Sequence, residues 1–97
     1  MRSTEDILAI LREAKPDLVR RFGVRDLALF GSYARGEQQE ASDVDVLVDV
    51  DPSIGLRFVE LATALEDLLG LPTDVVSIRS LNPKAREEIE REVLHVA

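Results

Sequence analysis

The sequence predicts an α/β domain of the α+β kind, a small mixed β-sheet flanked by helices. Three observations carry that expectation. Residues 43–50 read DVDVLVDV, an apolar and acidic alternation with the period of a half-buried strand. Residues 7–22 and 56–69 instead repeat apolar side chains at spacings of three and four, the period of a helix. The segments follow one another as helix, strand, strand, helix, strand, helix, which packs as helices on a sheet. A length of 97 residues is one domain's worth, so residues 1–97 form a single domain.

Each element has a local reason. Ser3 caps the first helix, and Asp6, three residues on, is an acidic capping-box partner. Ile7, Leu8, Leu11 and Ala14 make its apolar stripe. Lys15-Pro16 breaks or kinks it, and Leu18, Val19 and Phe22 continue the face in a short second helix that Gly23 ends. Residues 27–30 (LALF) form a buried strand before Gly31-Ser32. In residues 43–50, Val44, Val46, Val48 and Val50 share one face. Asp51-Pro52-Ser53 turns the chain. Phe58, Leu61, Ala62, Leu65, Leu68 and Leu69 give the next helix a broad buried face, stopped by Gly70 and Pro72. Residues 73–78 (TDVVSI) form a third strand. Asn82 caps a last helix with Pro83 at its first position and Ala85, Ile89 and Val93 on its apolar side.

Composition excludes several classes. Twelve Lys and Arg against nineteen Asp and Glu give a formal net charge of −7. That repels nucleic-acid phosphates, so stand-alone nucleic-acid binding is not expected. With no Cys there are no disulfides, thiolate metal sites or Cys nucleophiles. No apolar run approaches the ~20 residues of a membrane span. Glu5 and Asp6 stand where a secretory leader would be basic, which predicts a cytoplasmic protein.

The chemistry concentrates in three places. Asp43 and Asp45 are two apart in a strand, so both carboxylates leave one face ~7 Å apart. A one-residue slip would bury them, so the valines fix their register. Two aligned carboxylates suit Mg²⁺, which takes oxygen ligands from one or two carboxylates, substrate phosphates and water. Alone, an Asp-x-Asp pair also reads as two solvated residues. Gly31-Ser32 follows a strand. A glycine lets a phosphate approach closely, and N–H groups opening a short helix point at an anion. Alone, the pair also reads as a plain turn. Ten residues separate Ser32 from Asp43, giving the complete string G-S-x10-D-x-D across strand, turn and strand. Asp74 opens the third strand, the one polar position on a face shared with Val76 and Ile78, and is the candidate third carboxylate. Asp49 and Asp51 share the parity of Asp45 but lie ~13 and ~20 Å further along, too far for the same ion.

At these residues the chain resembles the minimal nucleotidyltransferase family of the polymerase-beta-like superfamily. Residues 27–48, LALFGSYARGEQQEASDVDVLV, look like that family's signature, including Arg35-Gly36 and the Ser42 before Asp43. The likeness continues through Asp74 to the end. It implies that Gly31 and Ser32 hold the triphosphate of ATP, that Asp43 and Asp45 bind two Mg²⁺ ions, and that Asp74 completes the metal site and helps activate the incoming hydroxyl. Small members similar to this chain are often antitoxins paired with a HEPN-family toxin, a helical RNase, and some transfer AMP to a tyrosine of it.

Around that set the residues leave alternatives. Arg35 is a solvated helix residue or a bidentate phosphate contact. Ser42 orients the carboxylates or turns the chain. Tyr33 packs with its hydroxyl exposed or borders the nucleotide. His95 lies near the C-terminus with no evident partner. Glu87 to Glu92 form a solvated helix face or present acid to a basic partner. Three functions compete: a Mg²⁺-dependent enzyme modifying a protein partner, an antitoxin that masks its partner without catalysis, and a small-molecule transferase that completes its acceptor site by dimerising. An oligomer is compatible with all three.

Overall fold

The computed structural model describes residues 2–97. Its elements are α1 (Thr4–Phe22), β1 (Asp26–Phe30), α2 (Gly31–Arg35), β2 (Val44–Asp49), α3 (Arg57–Leu69), β3 (Thr73–Ser77), α4 (Pro83–Glu90) and β4 (Leu94–His95), with single 3-10 turns at Pro52–Ile54 and Ile78–Ser80. The four strands form one mixed sheet in the order β3-β2-β1-β4. β1 runs antiparallel to both β2 and β4, and β2 runs parallel to β3 through the α3 crossover. This is the expected small mixed sheet flanked by helices.

The apolar pattern explains the layers. Leu27, Leu29, Val44, Val46 and Val48 are buried and meet Ile7, Leu11 and Leu18 of α1 and Leu61, Leu65 and Leu69 of α3 in one core. The α3 trio is spaced four apart, one side of the helix. Each such side chain stabilises the fold by roughly 1.5–3 kcal/mol on burial.

Four expectations need correction. Pro16 does not end the first helix: α1 runs through it for 19 residues, capped by the Ser3–Asp6 box and closed by Gly23 at φ +68°. Burial of Ile7, Leu11, Leu18 and Phe22 on both sides of Pro16 outweighs the lost N–H. The buried face of α3 is narrower than its apolar content suggests, because Leu68 lies outside the stripe, and Leu56 and Val59 are exposed as well. The last helix stops at Glu90, before Val93, and the chain then extends into β4. There Leu94 pairs with Leu29 and His95 with Ala28. His95 therefore has a partner, since its Nδ1 lies 3.1 Å from an Asp26 carboxylate oxygen.

Candidate active site

The edge where β1 ends, α2 begins and β2 starts collects the residues singled out above. Phe30, the last residue of β1, is the register partner of Asp45 in β2, and Asp45 is in turn the parallel partner of Asp74 in β3. Partners in register point to the same side of a sheet. Asp45 and Asp74 therefore stand side by side although 28 residues separate them in the chain. Asp43 immediately precedes β2 rather than lying inside it, and is exposed, as is Asp74. Asp45 is half-buried between them.

Gly31 closes the other side. It has φ +73°, and a β-carbon there would stand 2.1 Å from Asp45 Oδ2 and 2.9 Å from its Cγ. Only glycine combines that left-handed backbone with so close an approach. The chain turns directly from β1 into α2, so Ser32 follows the glycine that packs against Asp45. α2 ends at Gly36, φ +70°, whose N–H returns to the Ser32 carbonyl. Thr4 anchors the turn from α1 by donating its hydroxyl to the Tyr33 carbonyl. Tyr33 itself is only 2% exposed, so its ring packs in the core.

The electrostatics follow from the geometry. Burial holds the Asp45 carboxyl above its ordinary range, and the negative charges of Asp74 and then Asp43 push it the same way; Arg35 opposes them and Glu92 adds to them. Burial by itself attracts no ion, but the negative charges of Asp74 and Asp43 that favour a proton at Asp45 also favour a cation there. The donors are all carboxylate oxygens, with no thiolate or imidazole, which suits a hard divalent ion such as Mg²⁺. The three carboxylates line one edge and do not close around one point: among the described residues, no three His, Asp or Glu side chains are gathered tightly enough to hold a metal ion between them.

Arg35 is engaged on two sides, Nε to Glu37 at 2.7 Å and Nη1 to Glu92 at 2.8 Å. Glu92 also accepts the Gly31 N–H at 3.2 Å. The sequence pattern missed Glu92, grouping it with the solvated helix face. It lies beyond α4 and reaches the site only because β4 carries the chain back along β1. Ser42 takes part in a turn: its hydroxyl accepts from the Gln39 N–H, and its own N–H donates to the Gln39 carbonyl, both at 2.9 Å. Asp49 and Asp51 pair with Arg79 and Arg25, away from this edge. A surface groove of about 670 Å³ lies along α3 beside Arg21 of α1 and is lined by none of the three aspartates.

The chain is similar to known proteins over nearly its whole length. A nucleotidyltransferase domain model matches residues 11–95. A protein adenylyltransferase, MntA, of Thermococcus cleftensis is 48% identical over 98 residues, covering 99% of this chain and 98% of its own length. A solved structure described as a candidate minimal nucleotidyltransferase superposes with a TM-score of 0.79 at 42% identity, covering 96% of this chain and 95% of that one. A toxin–antitoxin crystal structure with AMP-PNP superposes with a TM-score of 0.69 at 26% identity, over 89% of this chain and 72% of that one. The match runs from the first helix to the last strand, and the chain belongs to the nucleotidyltransferase family, as a minimal enzyme of the MntA kind.

Proposed function

We propose that the chain transfers AMP from ATP to a hydroxyl, that of a tyrosine, on a HEPN-type toxin, and acts thereby as an antitoxin. The observation that carries this reading is the register pairing of Asp45 with Asp74 directly beside the Gly31 turn. It brings a row of carboxylates and a glycine turn packed against them to one edge. The AMP-PNP bound in a related toxin–antitoxin structure supports ATP as donor, and the adenylyltransferase name of the 48% identical relative supports AMP as the transferred group.

In this reading the Gly31–Ser32 turn receives the triphosphate. The missing side chain at Gly31 makes room for the Asp45 carboxylate against the turn, and the Ser32 N–H and hydroxyl are the donors offered to the phosphates. Arg35 supplies a guanidinium to the same group. Asp43, Asp45 and Asp74 would hold Mg²⁺, two ions in this reading, which would supply charge to neutralise the leaving pyrophosphate and a lower pKa for the attacking hydroxyl. Asp74, exposed at the mouth of β3, faces the incoming acceptor and orients its hydroxyl. Ser42 fixes the turn that delivers Asp43 to the edge. The acceptor's P–O bond forms as the bond to pyrophosphate breaks, leaving AMP on the partner. Incubating the full chain with Mg²⁺, ATP and a HEPN-type toxin that it binds tests the reading: AMP appears on the toxin with wild-type protein and not with Asp43→Asn.

A further inference from the structure

Glu92 bridges two groups that a phosphate would also use. Its Oε1 accepts the Gly31 N–H at 3.2 Å, and its Oε2 accepts from Arg35 Nη1 at 2.8 Å. The first is a main-chain donor at the start of α2, where N–H groups lack helical partners. The second is the cation at the end of the same five-residue helix. A backbone N–H and a guanidinium are the donors that bind phosphate oxygens, and a carboxylate makes the same charge-assisted bonds.

The position of Glu92 is built, not incidental. Its N–H donates to the Ile89 carbonyl at 3.0 Å, which ends α4. Two residues later, Leu94 and His95 pair with β1, and the Val96 N–H donates to the Leu27 carbonyl at 2.8 Å. Lys15 Nζ donates to the Val96 carbonyl at 2.7 Å. Glu92 is thus held between a helix end and a strand laid on β1, and β1 is the strand that runs into Gly31. Arg35 keeps a second carboxylate, Glu37, two residues along its own turn. Loss of Glu92 therefore frees one side of the guanidinium without leaving it unpaired.

We propose that Glu92 is a built-in stand-in for a substrate phosphate: its carboxylate holds the Gly31 N–H and the Arg35 guanidinium, and the triphosphate binds by displacing it from both. The inference rests on the reading above, in which this turn receives the triphosphate. It makes Glu92 a regulator of nucleotide affinity, because every binding event gives up two bonds before it gains its own. The opposite role, a positioning residue that stays on Arg35 while ATP is bound, has the opposite consequence for affinity.

The test is Mg-ATP binding by titration calorimetry on the full chain, comparing wild type with Glu92→Gln and Glu92→Asp. Gln keeps the shape and can still accept the Gly31 N–H, so the fold is kept while the negative charge facing Arg35 is lost. Asp keeps the charge but is one methylene too short to span both donors. Both variants are expected to bind Mg-ATP ~3- to 10-fold more tightly, the scale of a half-exposed charge-assisted contact. KM for ATP falls with it, and kcat does not rise. Unchanged or weaker binding in both variants, with wild type binding normally, overturns the stand-in and leaves the proposed function intact. Tighter binding by Glu92→Gln alone also overturns it, since general charge repulsion then suffices. No binding by any of the three proteins overturns the stand-in together with the triphosphate reading.

Discussion

Gly31 lies so close to Asp45 that a β-carbon at residue 31 would fall 2.1 Å from the Asp45 carboxylate. The two residues come from a turn and a strand 14 positions apart. Their contact makes the turn and the carboxylate edge one object, so each constrains the other.

Gly31→Ala therefore forces Asp45 aside and strains a left-handed backbone, a cost of about 1–2 kcal/mol before the clash is counted. With Asp45 holding Mg²⁺ as proposed, AMP transfer falls by ~100-fold or more, the scale of a functional group displaced by about an ångström. Gly36→Ala is the control. It has a similar φ, +70°, but open space where its side chain would go. It loses comparable backbone energy while its transfer rate stays within a few-fold. Denaturant unfolding and a single-turnover assay on both variants check the pair.

Asp45 is expected to cost stability when ionised. Its folded-state carboxyl is held above its ordinary range, by burial first and then by Asp74 and Asp43. The folded state thus binds this proton more tightly than the unfolded chain does. The stabilisation is full below the unfolded value, near 4, and is lost as pH rises through the raised folded value. At pH 7 Asp45→Asn should melt higher than wild type, and the gain should shrink as pH falls towards 4 and below. Asp6 and Asp51 behave oppositely. The Ser3 and Ser53 backbone N–H groups, first among their causes, hold them below the ordinary range, so their contribution is lost in acid. They cancel when the two melting curves are subtracted. Mg-ATP at 100 times its Kd should stabilise wild type by about 2.7 kcal/mol and Asp45→Asn far less.

Pro16 offers a test away from the site. It sits exposed inside a 19-residue helix and removes one helical N–H. Pro16→Ala restores the bond. After allowing for the freer unfolded chain, the gain is about 1–2 kcal/mol. The denaturation midpoint should rise with an unchanged slope, and AMP transfer should not change.

Much of this was legible because local pattern and tertiary need agree. The valine alternation fixes which way Asp45 points, and the glycine before Ser32 marks a close approach, which the sequence reads as room for a phosphate and the structure fills with the Asp45 carboxylate. Asp74 was readable as the lone polar position on an apolar strand face, though only the parallel register sets it beside Asp45. The rest depends on distance along the chain. Glu92 meets Gly31 across 61 positions, and nothing near Glu92 distinguishes it from Glu87, Glu88 and Glu90. β4 has two residues, too few for any period. Pro16 carries a strong local veto that burial on both sides overrides. Tyr33 looks amphipathic in sequence, and only the packing of α2 against the sheet puts its ring in the core.

The most direct test of the central claim is intact mass spectrometry of the partner toxin after incubation with this chain, Mg²⁺ and ATP. The account predicts a mass gain of one or more AMP units, absent with Asp43→Asn, and loss of toxin activity in step with it. A toxin neutralised in a stable complex with no gain in mass would contradict it, and would make this protein an antitoxin that works by masking.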